Sequence, residues 1–386
     1  MRRVDCPVAL RERRHGRWRA HLLVVALAAL TGCGERAPIR IGLAGPLTDA
    51  VGAPMKNAAR LAVAEINAAG GVRGRPLALV EKDDFGEPDS AVVVATGLYS
   101  DKVVAVVGHV WSGTTLSAAP VYNGGSDPLV ELSPSSSSPD VTNAGDYTFR
   151  VCPSDEAHGR ALARYAMNRL RLERSAVLYL NDEYGRGIRN TFAEEYIRLG
   201  GEITEFDPYI GSPPVIAPYI DRIVQGGQAG FLVVAGNRDE AVEVLRQSRQ
   251  RGLTIPVMGG DGLEGIETAG ALAEGTYVTA AYLPSYATPA NQRFVQEYRK
   301  KFPGAGDPNQ PAAATYDAIY LLRDVMERAG TNRRRIRNEL AKVGIDRPAF
   351  AGVTGSIAFD ANGDVPEQRV LIGVVHGGTV RPAEGQ

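Results

Sequence analysis

The sequence is poor in cysteine and histidine, with 3 Cys and 5 His among 386 residues. It contains neither a His-Glu-x-x-His nor a Cys-x-x-Cys pair, which argues against a zinc or iron site. A Gly-x-Ser-x-Gly elbow and a Walker A loop are missing as well. We therefore expect no metal and no cofactor, and nothing positive indicates an enzyme.

Net charge is also small, because 43 Lys and Arg stand against 44 Asp and Glu. The charge is unevenly distributed: residues 1–32 contain seven Arg and two acids, or +5, and the remainder contains 36 bases and 42 acids, or −6. Binding to nucleic acid requires a basic face for the phosphates. A mildly acidic body therefore argues against a DNA or RNA partner.

Long hydrophobic runs are absent, since the apolar run at residues 22–30 has nine residues and a bilayer-spanning helix needs about 20. Behind the arginine-rich start, this run is typical of a signal peptide. It ends in Leu30-Thr31-Gly32-Cys33, which resembles the bacterial lipoprotein box. We expect residues 1–32 to be removed, Cys33 to be acylated and residues 33–38 to link it to the body; the alternative is an ordinary signal peptide that ends near a cysteine.

Export would leave Cys152 as the one remaining thiol, because Cys6 departs with the signal peptide and Cys33 carries the lipid. An intrachain disulfide is then impossible. Free cysteine usually packs as a small apolar residue. We expect Cys152 to be buried rather than reactive.

Short β-rich runs alternate with helix-length stretches along the mature chain. The strand candidates are residues 39–44, 77–81, 103–107, 129–132, 176–180, 230–235, 255–258 and 276–280. Helices are predicted over residues 55–69, 291–302 and 311–329, the first from apolar positions close to the 3.6-residue period. This alternation predicts an α/β fold of parallel sheets covered on both faces, and the length predicts two domains.

Two further features concern the connections. The alternation pauses at residues 147–155, where we expect the chain to leave one domain for the other. Residues 360–364 read as a turn joining a late pair of strands.

Polar residues follow two of the predicted strands. The run at 103–107 leads into Gly108, and Ser112 then opens the next helix, where unpaired N–H groups would hold a carboxylate well. The alternative is that Ser112 is a plain N-cap. The serine-rich patch at 133–139 is either a flexible linker or a loop at the end of a strand.

The order of segments resembles the periplasmic binding proteins for leucine, isoleucine and valine, which serve ATP-binding-cassette importers. The resemblance covers nearly all of residues 39–376. Its markers are Ala44-Gly45-Pro46-Leu47, Glu65-Ile66-Asn67-Ala68-Ala69-Gly70-Gly71-Val72, Asp83-Asp84, Val107-Gly108-His109, Leu132-Ser133-Pro134, Phe149-Arg150, Asn181-Asp182-x-Tyr184-Gly185 and Pro289-Ala290-Asn291-Gln292. Each motif is weak alone, and together they occur in the family's order.

The resemblance implies two doubly wound parallel-sheet lobes joined by a three-strand hinge that close on a ligand. The first lobe would comprise residues 39–154 and 282–366. The second would comprise 155–281 and 367–386. Strand counting places the crossings near residues 153–156, 279–283 and 365–368.

The resemblance also implies a ligand-binding site in the first lobe. Ser112 matches the family serine that takes the ligand carboxylate through its hydroxyl and backbone N–H. Ser135, Ser136 and Ser137 fall in the loop that holds the amino and carboxylate groups, with Ser137 replacing a frequent threonine.

From the second lobe, Tyr184 matches the family tyrosine that approaches the ligand, and Asp261 matches the acid that pairs with the ammonium group. This agrees with electrostatics, because a zwitterion taken out of water needs a partner for each charge. Other interpretations stay open: Asp261 as a residue of a glycine-flanked turn, and Tyr184 as a packed aromatic.

Several positions depart from the family pattern. Many members have a cystine near the ligand serine, where this chain has Gly86 and Trp111. Trp111 either forms a wall of the pocket or packs under the loop. Asn237 stands where amino-acid binders often have a tyrosine, and a family tryptophan corresponds to Val51 or a neighbour. The identity of the ligand is therefore open.

The leading hypothesis is an exported lipoprotein that captures an amino acid, aliphatic or branched-chain, and delivers it to an ATP-binding-cassette permease. We expect a monomer that touches the membrane through its lipid anchor alone, outside the cytoplasm. The alternatives are a ligand-sensing module of the same fold, or a binder of amides, urea or aromatic acids.

Overall fold

The computed structural model describes residues 37–210 and 215–384. The predicted signal peptide and Cys33, the predicted site of acylation, lie outside the described residues. The residues Pro38–Gln386 form one compact unit.

The first part of this unit is a parallel sheet with its helices. Its elements are β1 (Ile39–Gly45), α1 (Gly52–Ala68), β2 (Leu77–Asp83), α2 (Pro88–Ser100), β3 (Val106–Val107), α3 (Ser112–Asn123), β4 (Glu131–Ser133) and β5 (Thr148–Arg150). The strand order is β2-β1-β3-β4-β5, with Ile39 opposite Leu77 and Gly45 opposite Asp83. Helix α1 buries Met55, Ala59 and Ile66, the face that its apolar periodicity predicts.

The second sheet begins after β5. Its elements are α4 (Asp155–Tyr165), β6 (Arg174–Leu180), α5 (Glu183–Arg198), β7 (Glu202–Tyr209), α6 (Ala217–Gly226), β8 (Phe231–Ala235), α7 (Arg238–Gln250), β9 (Val257–Gly259) and β10 (Tyr277–Ala280). Strands β6 and β8 read as near-continuous apolar runs because helices cover both faces of the sheet at its centre, whereas β7 at the sheet edge is mostly polar.

The C-terminal part returns to each sheet in turn. Its elements are α8 (Pro289–Lys301), α9 (Gln310–Ala329), α10 (Arg333–Leu340), β11 (Phe350–Ala351), β12 (Ser356–Ile357), β13 (Leu371–His376) and β14 (Thr379–Pro382). Phe294, Leu322 and Ile336 from α8, α9 and α10 share a buried core with Ile41 and Leu43 of β1. Strand β13 instead pairs antiparallel with β10 and β14, at the edge of the second sheet.

The chain thus passes three times between the two sheets: after β5, after β10 and before β13. We call the β1–β5 sheet with α1–α3 and α8–α10 lobe 1, and the β6–β10, β13 and β14 sheet with α4–α7 lobe 2. The predicted α/β class with two parallel-sheet lobes is confirmed. Within the residues described, no helix is both long enough and apolar enough to cross a bilayer.

The predicted pair of strands around residues 360–364 is wrong. The turn itself is present, because Asp360 Oδ1 accepts hydrogen bonds from the N–H groups of Asn362 and Asp364. Strand β12 before it pairs with β11, whereas β13 after it joins the sheet of lobe 2. The turn therefore leads into a crossing between lobes rather than closing a hairpin.

Candidate ligand-binding site

Ser112 lies where lobe 1 presents the carboxyl end of β3. It opens α3 and is 3% exposed, and its Oγ accepts a hydrogen bond from the N–H of Ser138 at 3.1 Å. The hydroxyl therefore contacts the loop after β4 instead of capping α3. The N–H groups of the first turn of α3 remain directed at the same edge of the sheet.

The loop at residues 133–138, which we call the serine loop, is tied to lobe 1 by its own hydroxyls. Ser133 Oγ donates to the carbonyl of His109 at 2.7 Å and accepts from the N–H of Ser136 at 2.9 Å. Ser136 Oγ lies 2.7 Å from Thr115 Oγ1. Of the two interpretations of this patch, the structure has the ordered loop at the end of a strand, not a flexible linker.

Arg150 binds the backbone of the serine loop. Its side chain is 1% exposed, and Nη1 donates to the carbonyls of Ser137 and Ser138 at 3.0 and 2.8 Å. Its Nε lies 2.7 Å from Asp364 Oδ1, an ion pair that joins the end of β5 to the chain before β13. Because Arg150 is the last residue of β5, this clamp also lies directly before the first crossing.

Lobe 2 brings Tyr184 and Asp261 together. The Tyr184 hydroxyl donates to Asp261 Oδ1 at 3.0 Å and accepts from the N–H of Gly262 at 2.7 Å. Tyr184 belongs to the first turn of α5 after β6, and Asp261 follows β9, so both lie at carboxyl ends of parallel strands. Tyr184 and Asp261, which are 77 positions apart in the sequence, are therefore joined by a direct hydrogen bond.

Asp155 is a residue of this region that the sequence did not single out. It begins α4 directly after the first crossing, it is fully buried, and neither carboxylate oxygen has a hydrogen-bond partner among the described residues. Its N–H donates to the carbonyl of Ser137 at 2.7 Å, which links lobe 2 to the serine loop. A Cβ on Gly187 would lie 2.1 Å from Asp155 Oδ2, so glycine is needed at that position to make room for the carboxylate.

His158, one turn further along α4, was missed as well. Its Nδ1 lies 2.7 Å from Thr279 Oγ1, and its Nε2 lies 3.5 Å from Asp261 Oδ2. Burial lowers the pKa of His158, so the ring is neutral at pH 7. It therefore adds no positive charge beside Asp261.

The electrostatics of this region favour a cation. Burial, reinforced by the negative charge of Asp261, holds the pKa of Asp155 well above its ordinary range. The same two causes raise the pKa of the Tyr184 hydroxyl. Two neighbouring carboxylates and a neutral histidine are stabilised by an ammonium group placed between them.

Trp111 directly precedes α3 in lobe 1, and Asn237 directly precedes α7 in lobe 2. Trp111 is half-buried and packs against the core of lobe 1; a Cβ on Gly86 would lie 2.9 Å from its Nε1. Asn237 precedes α7, and within the described part of the chain its Oδ1 has no hydrogen-bond partner. Its neighbour Gly236 lies against Gly262, so Asn237 borders the Asp261 segment.

Cys152 lies between the lobes, at the first crossing. It is free and 1% exposed, and burial raises the pKa of its thiol. The thiol is therefore neutral and packs as a small apolar group, as expected.

Comparison with known proteins assigns the family. Residues 38–379 match the family described as "Periplasmic binding protein". The Leu/Ile/Val-binding protein homolog 1 of Brucella suis is 30% identical over 352 residues, which cover 88% of this chain and 91% of that protein.

Solved structures agree with this match. The substrate binding protein LivJ of the branched-chain amino acid transporter of Streptococcus pneumoniae, in complex with isoleucine, has a TM-score of 0.81 and 28% identity. The similarity covers 90% of this chain and 99% of LivJ. A solute binding protein from Rhodopseudomonas palustris in complex with 3,4-dihydroxy benzoic acid has a TM-score of 0.76 at 22% identity over 88% and 93% of the two chains, which shows the fold alone. The chain therefore belongs to the periplasmic binding proteins of the Leu/Ile/Val-binding type, a family of exported solute-binding proteins of ATP-binding-cassette transporters and not of enzymes.

Proposed function

We propose that this protein is a lipid-anchored, monomeric binding protein that captures an aliphatic amino acid, most directly leucine, isoleucine or valine, and delivers it to an ATP-binding-cassette permease. The names of the relatives support the ligand class, since they are Leu/Ile/Val-binding homologues and an isoleucine complex. Cys33 behind an apolar run supports the anchor.

The observation that carries the proposal is the separation of charge across the site. Ser112, the N-terminus of α3 and the serine loop offer hydroxyl and N–H groups to an anion. Asp155 and Asp261 offer two carboxylates to a cation. An α-amino acid carries both charges on one carbon, so a single small ligand satisfies both halves.

Lobe closure would couple this binding to transport. Across the lobes, Glu264 Oε1 of lobe 2 accepts a hydrogen bond from the N–H of Gln310 of lobe 1 at 2.8 Å. Within lobe 1, Gln310 Nε2 donates to the carbonyl of Pro134 at 3.0 Å and so links this contact to the serine loop. A Cβ on Gly113 of α3 would lie 3.0 Å from Glu183 Oε2 of α5. A ligand that touches both lobes favours the state in which these contacts form, and a permease that binds this state preferentially receives the loaded protein.

The remaining members of the proposed site set selectivity. Ser135 and Ser137 would contact the two charged groups from the serine loop. Tyr184 would fix Asp261 in position through its hydroxyl. Trp111 and Asn237 would border the aliphatic side chain at the margins.

Calorimetric titration of the mature protein tests the ligand class. We expect leucine, isoleucine or valine to bind with one site per chain. If no amino acid bound but an amide, urea or an aromatic acid did, the ligand class would be contradicted and the solute-binding role would remain.

Two further measurements test the anchor and the partner. Mass spectrometry of the protein from membranes should show a diacylglyceryl group on Cys33, and Cys33→Ala should release the protein. Crosslinking in whole cells should recover a permease. Recovery of a kinase or chemoreceptor without a permease would favour a sensor.

A further inference from the structure

The most exposed large apolar side chains of the described residues occur at one kind of position. The four most exposed, at 68 to 73%, are Phe85, Val93, Ile210 and Val215, and the next in rank is Ile345 at 59%. Apolar residues scattered singly over a surface are normal. Apolar residues that stand at corresponding places in two lobes instead indicate a surface that another molecule covers.

Each lobe contributes two of these residues, next to an edge strand of its sheet. In lobe 1 the edge strand is β2; Phe85 lies in the loop after it, and Val93 lies in the helix α2 that follows. In lobe 2 the edge strand is β7; Ile210 comes directly after it, and Val215 comes just before α6. Strands β2 and β7 both pair parallel with their neighbours. Both pairs of residues therefore lie near the carboxyl ends of the strands, the side of each sheet that faces the ligand site.

These edge strands are far from the crossings between the lobes. The crossings follow β5, follow β10 and precede β13, whereas β2 lies at the opposite edge from β5, and β9, β8 and β6 separate β7 from β10. The two apolar pairs therefore flank the mouth, by which we mean the side of the cleft away from the crossings. The start of α2 also borders the contact between the lobes: a Cβ on Gly113 would lie 3.0 Å from Glu183 Oε2 and 3.9 Å from Pro88 Cγ.

The loop after β2 holds Phe85 in a fixed position. Its φ of +54° is rare for a residue with a side chain. The carboxylate of Asp83 accepts the N–H of Phe85 at 2.8 Å and the hydroxyl of Thr48 at 2.7 Å. Asp84 Oδ1 accepts the N–H of Gly86 at 2.9 Å. Backbone of this kind persists where its surroundings fix it, and it clusters at binding sites. A fixed ring also loses little conformational freedom when a partner covers it.

Acidic residues accompany the lobe 1 pair. Glu87 and Asp89 are both exposed and lie between Phe85 and Val93 in the sequence. Interfaces commonly combine an apolar centre with a polar rim, and charges of opposite sign face each other across them. The partner that suits this surface therefore has an exposed apolar centre with basic residues around it.

We propose that the two apolar pairs at the mouth, Phe85 with Val93 and Ile210 with Val215, form the surface that docks on the membrane subunits of the permease. The inference rests on the proposed function, because a solute that is delivered leaves through the mouth, and the permease then has to lie over it. A partner that contacts both pairs also depends on the distance between them, which lobe closure sets. The same surface therefore lets the permease distinguish the loaded protein and receive its solute.

Uptake of radioactive leucine by cells, compared with calorimetric titration of the same variants, tests this surface. The cells lack the chromosomal copy of the gene and express the full chain. We expect Phe85→Asp/Ile210→Asp to bind leucine within about twofold of the unchanged chain, because both positions are exposed and outside the ligand site. Its uptake at limiting leucine should be at least about tenfold slower, the loss expected when anchor residues of an interface are replaced by charges.

The matched control is Ile197→Asp/Ile345→Asp. It adds the same two charges at exposed apolar positions, one in each lobe, and neither position follows an edge strand: Ile197 lies at the far end of α5, and Ile345 follows α10. This variant should bind and take up leucine as the unchanged chain does.

Normal uptake by the Phe85→Asp/Ile210→Asp variant would overturn the docking surface and leave the proposed function standing. Equal loss of uptake in the control would overturn it too. So would sedimentation in which the unchanged chain is a dimer and this variant is a monomer, since a second copy would then cover the surface.

Photocrosslinking in whole cells decides the case in which the unchanged chain binds no leucine and the proposed function fails. A photoreactive phenylalanine analogue replaces Phe85, Ile210 or, as control, Ile345. Crosslinks from the first two positions alone to a membrane subunit of an ATP-binding-cassette permease would support the docking surface without the leucine assignment. Crosslinks to no such subunit, or equally from all three positions, would overturn it.

Discussion

The two lobes contribute opposite chemistry to the site. In lobe 1, Asp84 and Arg150 each have a side-chain partner: Asp84 Oδ2 lies 2.5 Å from His109 Nδ1, and Arg150 Nε lies 2.7 Å from Asp364 Oδ1. What lobe 1 leaves for a ligand is hydroxyl and N–H groups. In lobe 2, Asp155 is buried with both oxygens lacking a hydrogen-bond partner among the described residues, and the histidine beside Asp261 is neutral.

This difference implies that the ligand completes lobe 2 more than lobe 1. The serine loop is held by internal hydrogen bonds whether or not a ligand is present. Burial and the negative charge of Asp261 instead raise the pKa of Asp155, so both groups ionise together more readily when a cation lies beside them. If the proposed zwitterion binds here, we expect it to provide the positive charge that lobe 2 lacks and to bind a preformed surface of lobe 1, so that closure depends on the ammonium group.

Removing the Arg150–Asp364 ion pair of lobe 1 should have the largest effect, and it should act on the stability of the protein. We expect Arg150→Met to lower the free energy of unfolding by about 3 to 5 kcal/mol, because it removes one partner of a buried ion pair. The variant also frees the carbonyls of Ser137 and Ser138, which disorders the serine loop. Chemical denaturation measures the change. The control is Arg299→Met, which breaks an exposed pair with Asp307 and should cost about 0 to 1 kcal/mol. Equal stability of the two variants would mean that the clamp contributes nothing.

Removing a charge from lobe 2 should mainly affect binding. Asp261→Asn should weaken leucine binding by about 2 to 5 kcal/mol, the usual loss when one partner of a buried charge pair is removed. That corresponds to an affinity about 30- to 5,000-fold lower in calorimetric titration. Asp239→Asn, at an exposed position of the same lobe, is the control. An unchanged affinity would place the ammonium group elsewhere.

Removing the Ser112 hydroxyl from lobe 1 should weaken leucine binding less than removing the charge of Asp261. Ser112→Ala should weaken leucine binding by about 1.5 to 3 kcal/mol, the range for a hydrogen bond to a charged group. Ser117→Ala, half-buried in the same helix, serves as control. Leucinamide sharpens the comparison, since it keeps the ammonium group and lacks the carboxylate. Its affinity should remain sensitive to Asp261→Asn and become insensitive to Ser112→Ala; the reverse pattern would exchange the roles of the lobes.

The pH dependence of binding should come from Asp155. Because burial raises the folded pKa of Asp155, its protonated form contributes stability that is present at low pH and is lost as pH rises through the folded pKa. An ammonium ligand favours the carboxylate, so binding should expel the proton.

Affinity should therefore rise with pH, by at most about tenfold per pH unit, up to the raised pKa of the free protein. Titration in buffers of different ionisation enthalpy counts the released proton. Asp155→Asn should abolish the release and flatten the profile. Proton release that persists in this variant would assign it to another group.

Local sequence was sufficient for much of this arrangement. The apolar runs predict β1–β4, β6 and β8–β10, but not β5, β7, β13 or β14. Ser112 and the serine patch follow two of the predicted strands, so the lobe 1 half of the site is visible in short stretches. Tyr184 and Asp261 came from the family resemblance, and the structure adds their mutual contact.

Other parts could not be read from short segments. Asp155 at a helix start looks like a first-turn acid that favours the helix dipole. Only the packing of Gly187 and the serine loop around it buries it without a partner. The residues of the turn at 360–364 are typical of a hairpin. The strands on either side of it nevertheless pair in different sheets, which the local sequence does not indicate.

Substitution of Cys152, at the first crossing between the lobes, should have the smallest effect on ligand binding. Cys152→Ser replaces a neutral, buried thiol by a hydroxyl of similar size, and neither the anion half nor the cation half of the site uses its side chain. We expect leucine affinity to change by no more than about twofold, while the free energy of unfolding falls by about 1 to 3 kcal/mol, because a buried hydroxyl needs a hydrogen bond that a thiol does not. Cys152→Ala, which adds no polar atom, is the matched control. If both variants lost leucine binding while remaining folded, the crossing itself would contribute to the site, and the division of its chemistry between two lobes would be incomplete.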